Sequence, residues 1–108
     1  MPVNLPDTTE TLALLRATFP SFPLSDATVH ARLWSLPMPS GRYRLAVLLE
    51  YVEDDSDYLA DRWFCLELDA TNNVATVWNT TSWGARVKDP IAEVCHDEKE
   101  AREWIARC

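Results

Sequence analysis

A chain of 108 residues can bury a core without disulfides or a metal, and its 47% hydrophobic content argues for a packed globule over a disordered segment. The formal net charge is −7, from ten basic and seventeen acidic residues. That balance argues against direct binding to DNA, RNA or an anionic membrane, each of which needs a basic patch, and leaves a basic protein partner open.

The first element is announced by Asp7-Thr8-Thr9-Glu10, a capping box in which Asp7 accepts from the N–H of residue 10 and Glu10 reaches back. Leu12, Leu15 and Phe19 follow at helical spacing, with Leu14 widening the stripe, and Pro20 stops the helix. Ser25 is a suitable N-cap for a second helix carrying Val29, Leu33 and Leu36 on one side, ended by Pro37-Met38-Pro39-Ser40-Gly41. The period then changes to two. Tyr43, Leu45, Val47, Leu49 and Tyr51 alternate with Arg44, Ala46, Leu48, Glu50 and Val52, which predicts a strand. Its partner spans 61–69, with Phe64, Leu66 and Leu68 on one face and Trp63, Cys65 and Glu67 on the other.

Residues 70–73 read as a turn and 74–80 as a third strand whose register is open. Ser82-Trp83-Gly84 is a further turn, 85–88 a short irregular strand, and Pro90 confines this region to an edge or a loop. Residues 91–95 add one more short strand. A second capping box, Asp97 to Glu100, opens a last helix with Ala101, Trp104, Ile105 and Cys108 inward. The expected architecture is therefore one α+β domain in two layers. It is an antiparallel three- to four-stranded β-meander with two N-terminal helices and one C-terminal helix, ααβββ(β)α. Its parts are a lead at 1–6, a helical part at 7–36, a sheet at 42–95 and a helix at 97–108.

No apolar run approaches the roughly 20 residues that span a bilayer. Met1–Asp7 also lacks the basic and apolar regions of a signal peptide, so the expected compartment is the cytoplasm. Cys65, Cys95 and Cys108 are an odd number at wide spacing and form no disulfide framework.

The acidic hairpin loop is the most distinctive stretch. Glu50, Glu53, Asp54, Asp55, Asp57 and Asp61 stand together with no basic residue among them. Such a row can imitate a phosphate backbone and occupy a basic groove; the alternative is a solvated loop that discourages edge-to-edge pairing. It lacks the Gly and the final Glu of an EF-hand. Trp83, before a glycine in a polar segment, is the tryptophan expected at the surface. With nearby Arg86 it has the composition of a contact anchor. Trp104 is expected in the core, and Trp63 and Trp78 are expected to stack across neighbouring strands. His30 and His96 make neither a base–nucleophile pair nor, on spacing, a His/Cys metal site. With Gly41 and Gly84 as the only glycines there is no phosphate-cradling loop. No catalytic residue, metal or cofactor is assigned. The expected partner-binding residues are Glu53, Asp54, Asp55, Asp57, Tyr58, Asp61, Trp83 and Arg86.

In size, charge and expected architecture the chain looks like the small inhibitors and immunity proteins carried by phages and mobile elements, anti-CRISPR proteins included; no motif carries that likeness. Three functions follow as expectations. The first is a non-enzymatic inhibitor that docks its acidic surface on a basic nucleic-acid-binding protein. The second is an adaptor that binds through an aromatic surface. The third is a ligand-binding domain or enzyme with a pocket between helices and sheet. A homodimer is compatible with all three.

Overall fold

The computed structural model describes residues 3–53 and 58–107. Its elements in chain order are α1 (Thr8–Thr18), β1 (Thr28–Trp34), β2 (Tyr43–Val52), β3 (Leu59–Leu68), β4 (Thr76–Thr80), β5 (Arg86–Pro90), β6 (Ala92–Cys95) and α2 (Glu98–Ala106). Four strands form one antiparallel sheet in the order β1-β2-β3-β6, and β4 and β5 form a separate two-stranded ribbon.

The expected second helix is β1. A β-bulge interrupts its pairing with β2 between Val29, opposite Leu49, and Ala31, opposite Leu48. The extra residue, His30, moves the following side chains to the other face. Val29 thus packs with the cluster around Leu49, whereas Ala31 and Leu33 pack with the cluster around Ala46. A strand that changes its inward face partway presents apolar residues at intervals resembling a helical stripe. The chain therefore has two helices among its described residues, not three.

The layering also differs from the expected two. Leu45, Val47, Leu49, Phe64 and Leu66 face α1 and its flanking segments, where they meet Leu15, Leu24, Phe19 and Phe22. Ala46, Trp63 and Cys65 face α2, meeting Ala101, Trp104 and Ile105. The sheet is thus covered by one helix on each side, an α–β–α arrangement of three layers. Trp104 is in the core as expected. Trp63 and Trp78 do not stack: Trp63 is buried beneath α2, and Trp78 lies on the ribbon. The third strand is likewise not part of the main sheet, with Val74 alone bridging to Leu68.

Caps and turns fix the ends. Asp7 Oδ1 accepts from the Glu10 N–H at 2.8 Å, and Glu10 returns to the Asp7 N–H at 3.4 Å, completing the first capping box. At α2, Asp97 accepts from the Glu100 N–H at 2.8 Å, but Glu100 accepts instead from the N–H of His96, one residue upstream of the expected partner. Asp69 Oδ1 accepts from the N–H groups of Thr71 and Asn73, shaping a turn in which Asn72 takes φ 64°. Backbone N–H donors hold the carboxyls of Asp7 and Asp69 below the usual range, from Glu10 above all at Asp7 and from Asn73 at Asp69. Their folded pKa values lie below the unfolded ones, so the stability they add is present above the ordinary carboxylate pKa of about 3.9 and is lost as pH falls through the folded values. Urea denaturation midpoints should hold steady from pH 7 to 5 at these sites and drop below pH 4. Asp7→Ala combined with Asp69→Ala should flatten that drop.

Candidate functional site

Glu67, near the end of β3, is where the ribbon is rooted. Its N–H donates to Ile91 O (2.9 Å), its carbonyl accepts from the Ala75 N–H (2.8 Å), and the Ile91 N–H donates to Ala75 O (2.8 Å). These three bonds close the base of an arm in which every residue of β4 is exposed. Among the described residues neither helix packs extensively on it, and its two faces are set by cross-strand pairs. Trp78 lies directly opposite Lys88 and diagonal to Arg86, with Lys88 Nζ 5.4 Å and Arg86 Cζ 4.9 Å from its ring centre. On the other face, Asn79 donates to Asp89 Oδ2 at 2.7 Å beside Val77 and Val87. The tip is a tight turn in which the Gly84 N–H donates to Thr81 O and Gly84 takes φ +83°, a conformation that a side chain would strain. Trp83, just before it, is 93% exposed.

The arm therefore brings together Trp83 and Arg86, as the Ser-Trp-Gly turn and the sequence proximity suggested, and adds Trp78 and Lys88. The sequence signal for Trp78 was an aromatic in a strand of open register, which does not tell an arm from a core strand.

The acidic residues lie elsewhere. Glu53 follows β2 and accepts from Arg62 Nη2 at 3.3 Å. Arg62 also donates to Nδ1 of His96, at 3.1 Å. Tyr58, 77% exposed, immediately precedes β3, which Leu59 begins, and Asp61 is exposed on β3 opposite Glu50. Asp54, Asp55 and Asp57 lie outside the described residues. Asp61 and Glu67 are six residues apart on β3, roughly 20 Å at about 3.4 Å per residue. The acidic end and the arm's root thus sit at opposite ends of the sheet.

Two other groupings bear on chemistry. Cys65 and Cys95 are buried with their sulfurs 3.9 Å apart, and burial pushes both thiols up, away from the reactive thiolate. At the acidic end, His30, Glu50 and Asp61 carry metal-ligand atoms within 4.8 Å of one another. Two open hollows are found on the surface of the described residues. One, of about 380 Å³, lies between α1 and the Thr71–Asn73 turn, and the other, of about 390 Å³, between Trp34, Leu36 and α2. No helix of the described residues is long and apolar enough to cross a membrane.

Comparisons with protein-family models, with curated proteins and with solved structures found no match to this chain.

Proposed function

We propose that the protein acts by binding another protein, with the β4–β5 arm as its principal contact. The observation that carries this reading is a ribbon on which neither helix packs extensively and that exposes Val77, Trp78 and Trp83. A two-stranded hairpin alone is marginal in water, and apolar rings are left uncovered at a cost that a partner surface would recover. Trp and Arg are the residues most often found as interface anchors. The complementary surface would offer an apolar pocket for Trp83 and acidic groups facing Arg86 and Lys88. No catalytic role is assigned. The buried free thiols fit a reducing compartment, and we place this action in the cytoplasm.

A second reading keeps the acidic end as the contact. It is supported by Glu53 and Asp61 beside the exposed Tyr58 and Leu59. On that reading the protein is an inhibitor or immunity-type protein docking on the basic surface of a nucleic-acid-binding partner.

One affinity experiment separates the two. Wild type, Trp83→Ala and an Asp54/Asp55/Asp57→Lys variant are used as bait against host lysate at low and high salt. Trp83 is so exposed that Trp83→Ala should leave the melting temperature unchanged within error. A partner retained by wild type at both salts and lost by Trp83→Ala supports the arm. A partner lost by the lysine variant and by high salt supports the acidic end, because screening weakens exposed charge contacts. Retention of the same partner by Trp83→Ala excludes the arm as the principal contact.

A further inference from the structure

At the end of the sheet away from the arm's root, β1, β2 and β3 gather three side chains that the sequence separates widely. β1, β2 and β3 are neighbours. The bulge at His30 leaves that residue outside the regular pairing, with its Nε2 3.4 Å from Glu50 Oε2. Glu50 is in turn the direct cross-strand partner of Asp61. The ligand atoms of all three lie within 4.8 Å of one another.

Two features of this group call for a cation. Glu50 and Asp61 face each other across the strands, an arrangement in which like charges repel and destabilise a sheet. Among the described residues no arginine or lysine forms an ion pair with either carboxylate. The second feature is the kind and spacing of the donors. An imidazole nitrogen and carboxylate oxygens are ordinary zinc ligands, and bonds of about 2.0–2.1 Å in a tetrahedral site hold neighbouring donors roughly 3.3 Å apart. The His30–Glu50 pair already stands at 3.4 Å. Asp61 is exposed, so a side-chain rotation can bring its oxygen to the third corner.

We infer that His30, Glu50 and Asp61 form a binding site for a divalent transition ion of the zinc class, with the remaining coordination position open to water. The imidazole sets the ion class, since Mg²⁺ and Ca²⁺ take oxygen ligands and Zn²⁺ accepts nitrogen. The bulge is the structural device that makes the site. Without the extra residue in β1, the side chain at this position would follow the regular alternation of the strand.

The test uses tag-free protein titrated with ZnCl2 by isothermal calorimetry and with CoCl2 by visible absorption, beside His30→Ala and Asp61→Asn. The expected result is one ion per chain, a cobalt spectrum without thiolate charge transfer, and a loss of affinity of at least about tenfold in each variant, the loss that even an outer-shell partner produces. MgCl2 and CaCl2 should give no comparable heat, and Trp83→Ala should titrate as wild type. Absence of zinc binding, wild-type affinity in both variants, a thiolate band, or tighter binding of Ca²⁺ than Zn²⁺ would each overturn the site. If His30→Ala fails to fold by circular dichroism, Asp61→Asn decides, because it is isosteric and exposed.

Discussion

Phe64→Ala is expected to destabilise the protein by about 3–5 kcal/mol, the range for emptying a fully buried aromatic position. Phe64 is 0% exposed and projects from the middle of β3 toward α1. Three rings meet it edge-on: Phe19 at 5.1 Å, Phe22 at 5.2 Å and Tyr51 at 5.8 Å between centres. Phe19 is the cap residue of α1 and Phe22 lies in the segment that follows, so Phe64 holds the end of that helix and its exit chain against the sheet. Alanine removes the apolar contact area, leaves a void that the three aromatic neighbours can only partly close, and forfeits the ring-edge geometry. Small domains have about 5–15 kcal/mol in total, so the melting temperature should fall by more than about 10 °C. Phe64→Leu keeps much of the volume and should cost less than half as much. Urea denaturation of both variants measures the difference. Equal losses would mean that ring geometry, and not filled volume, carries the energy.

That cluster also shows which parts of the fold were legible beforehand. β2 and β3 declare themselves because Leu45, Val47 and Leu49, and then Phe64, Leu66 and Leu68, recur at period two, and nothing local competes with that pattern. The presence of a third layer was also written there. Ala46 and Leu48 on β2, with Trp63 and Cys65 on β3, make the second face apolar too, and a sheet solvated on one side would carry polar groups at those positions. β1 was hidden because its bulge lies within a seven-residue strand. The face change at His30 leaves too few residues on either side for alternation to register, while Val29 and Leu33 fall at helical spacing.

The candidate surfaces divide along the same physical line. Trp83 is readable as exposed because its exposure depends on a local turn, and Arg86 follows it by proximity. The separation of the arm's root from Glu50 and Asp61 depends on β4 and β5 leaving the sheet at Glu67 and Ile91, a choice made by three backbone hydrogen bonds that no side-chain pattern announces. The grouping of His30 with Glu50 and Asp61 is further out of reach, since it needs the register of three strands, one of them mistaken for a helix.

Glu67→Ala is expected to cost about 3 kcal/mol, at the lower end of the range for breaking a buried ion pair. Glu67 is 5% exposed on the α2 face of the sheet. Its carboxylate accepts from Arg44 Nε at 3.2 Å and from Arg42 Nη1 at 3.4 Å. Arg44 is the partner that matters: its side chain is 16% exposed, whereas that of Arg42 is 44% exposed and largely hydrated. Arg44 also donates from Nη1 to Trp104 O at 2.8 Å and lies 4.1 Å over the Trp104 ring, so the carboxylate holds the cation that clasps the last turn of α2 to the sheet. Removing Glu67 leaves Arg44 largely desolvated and without its counter-charge, which is costlier than never having had the pair. The contrast to measure is therefore with Glu67→Leu combined with Arg44→Met, where both charges leave together and apolar volume replaces them. That double variant should recover most of the loss in urea denaturation. A cost below about 1 kcal/mol for Glu67→Ala would reduce the pair to the standing of an exposed salt bridge. The arm's root is made by the backbone of residue 67 and not by its carboxylate. On the proposed reading of the arm as the contact, Glu67→Ala held below its lowered melting temperature should retain whatever partner the wild type retains, separating the stability of the fold from the surface it presents.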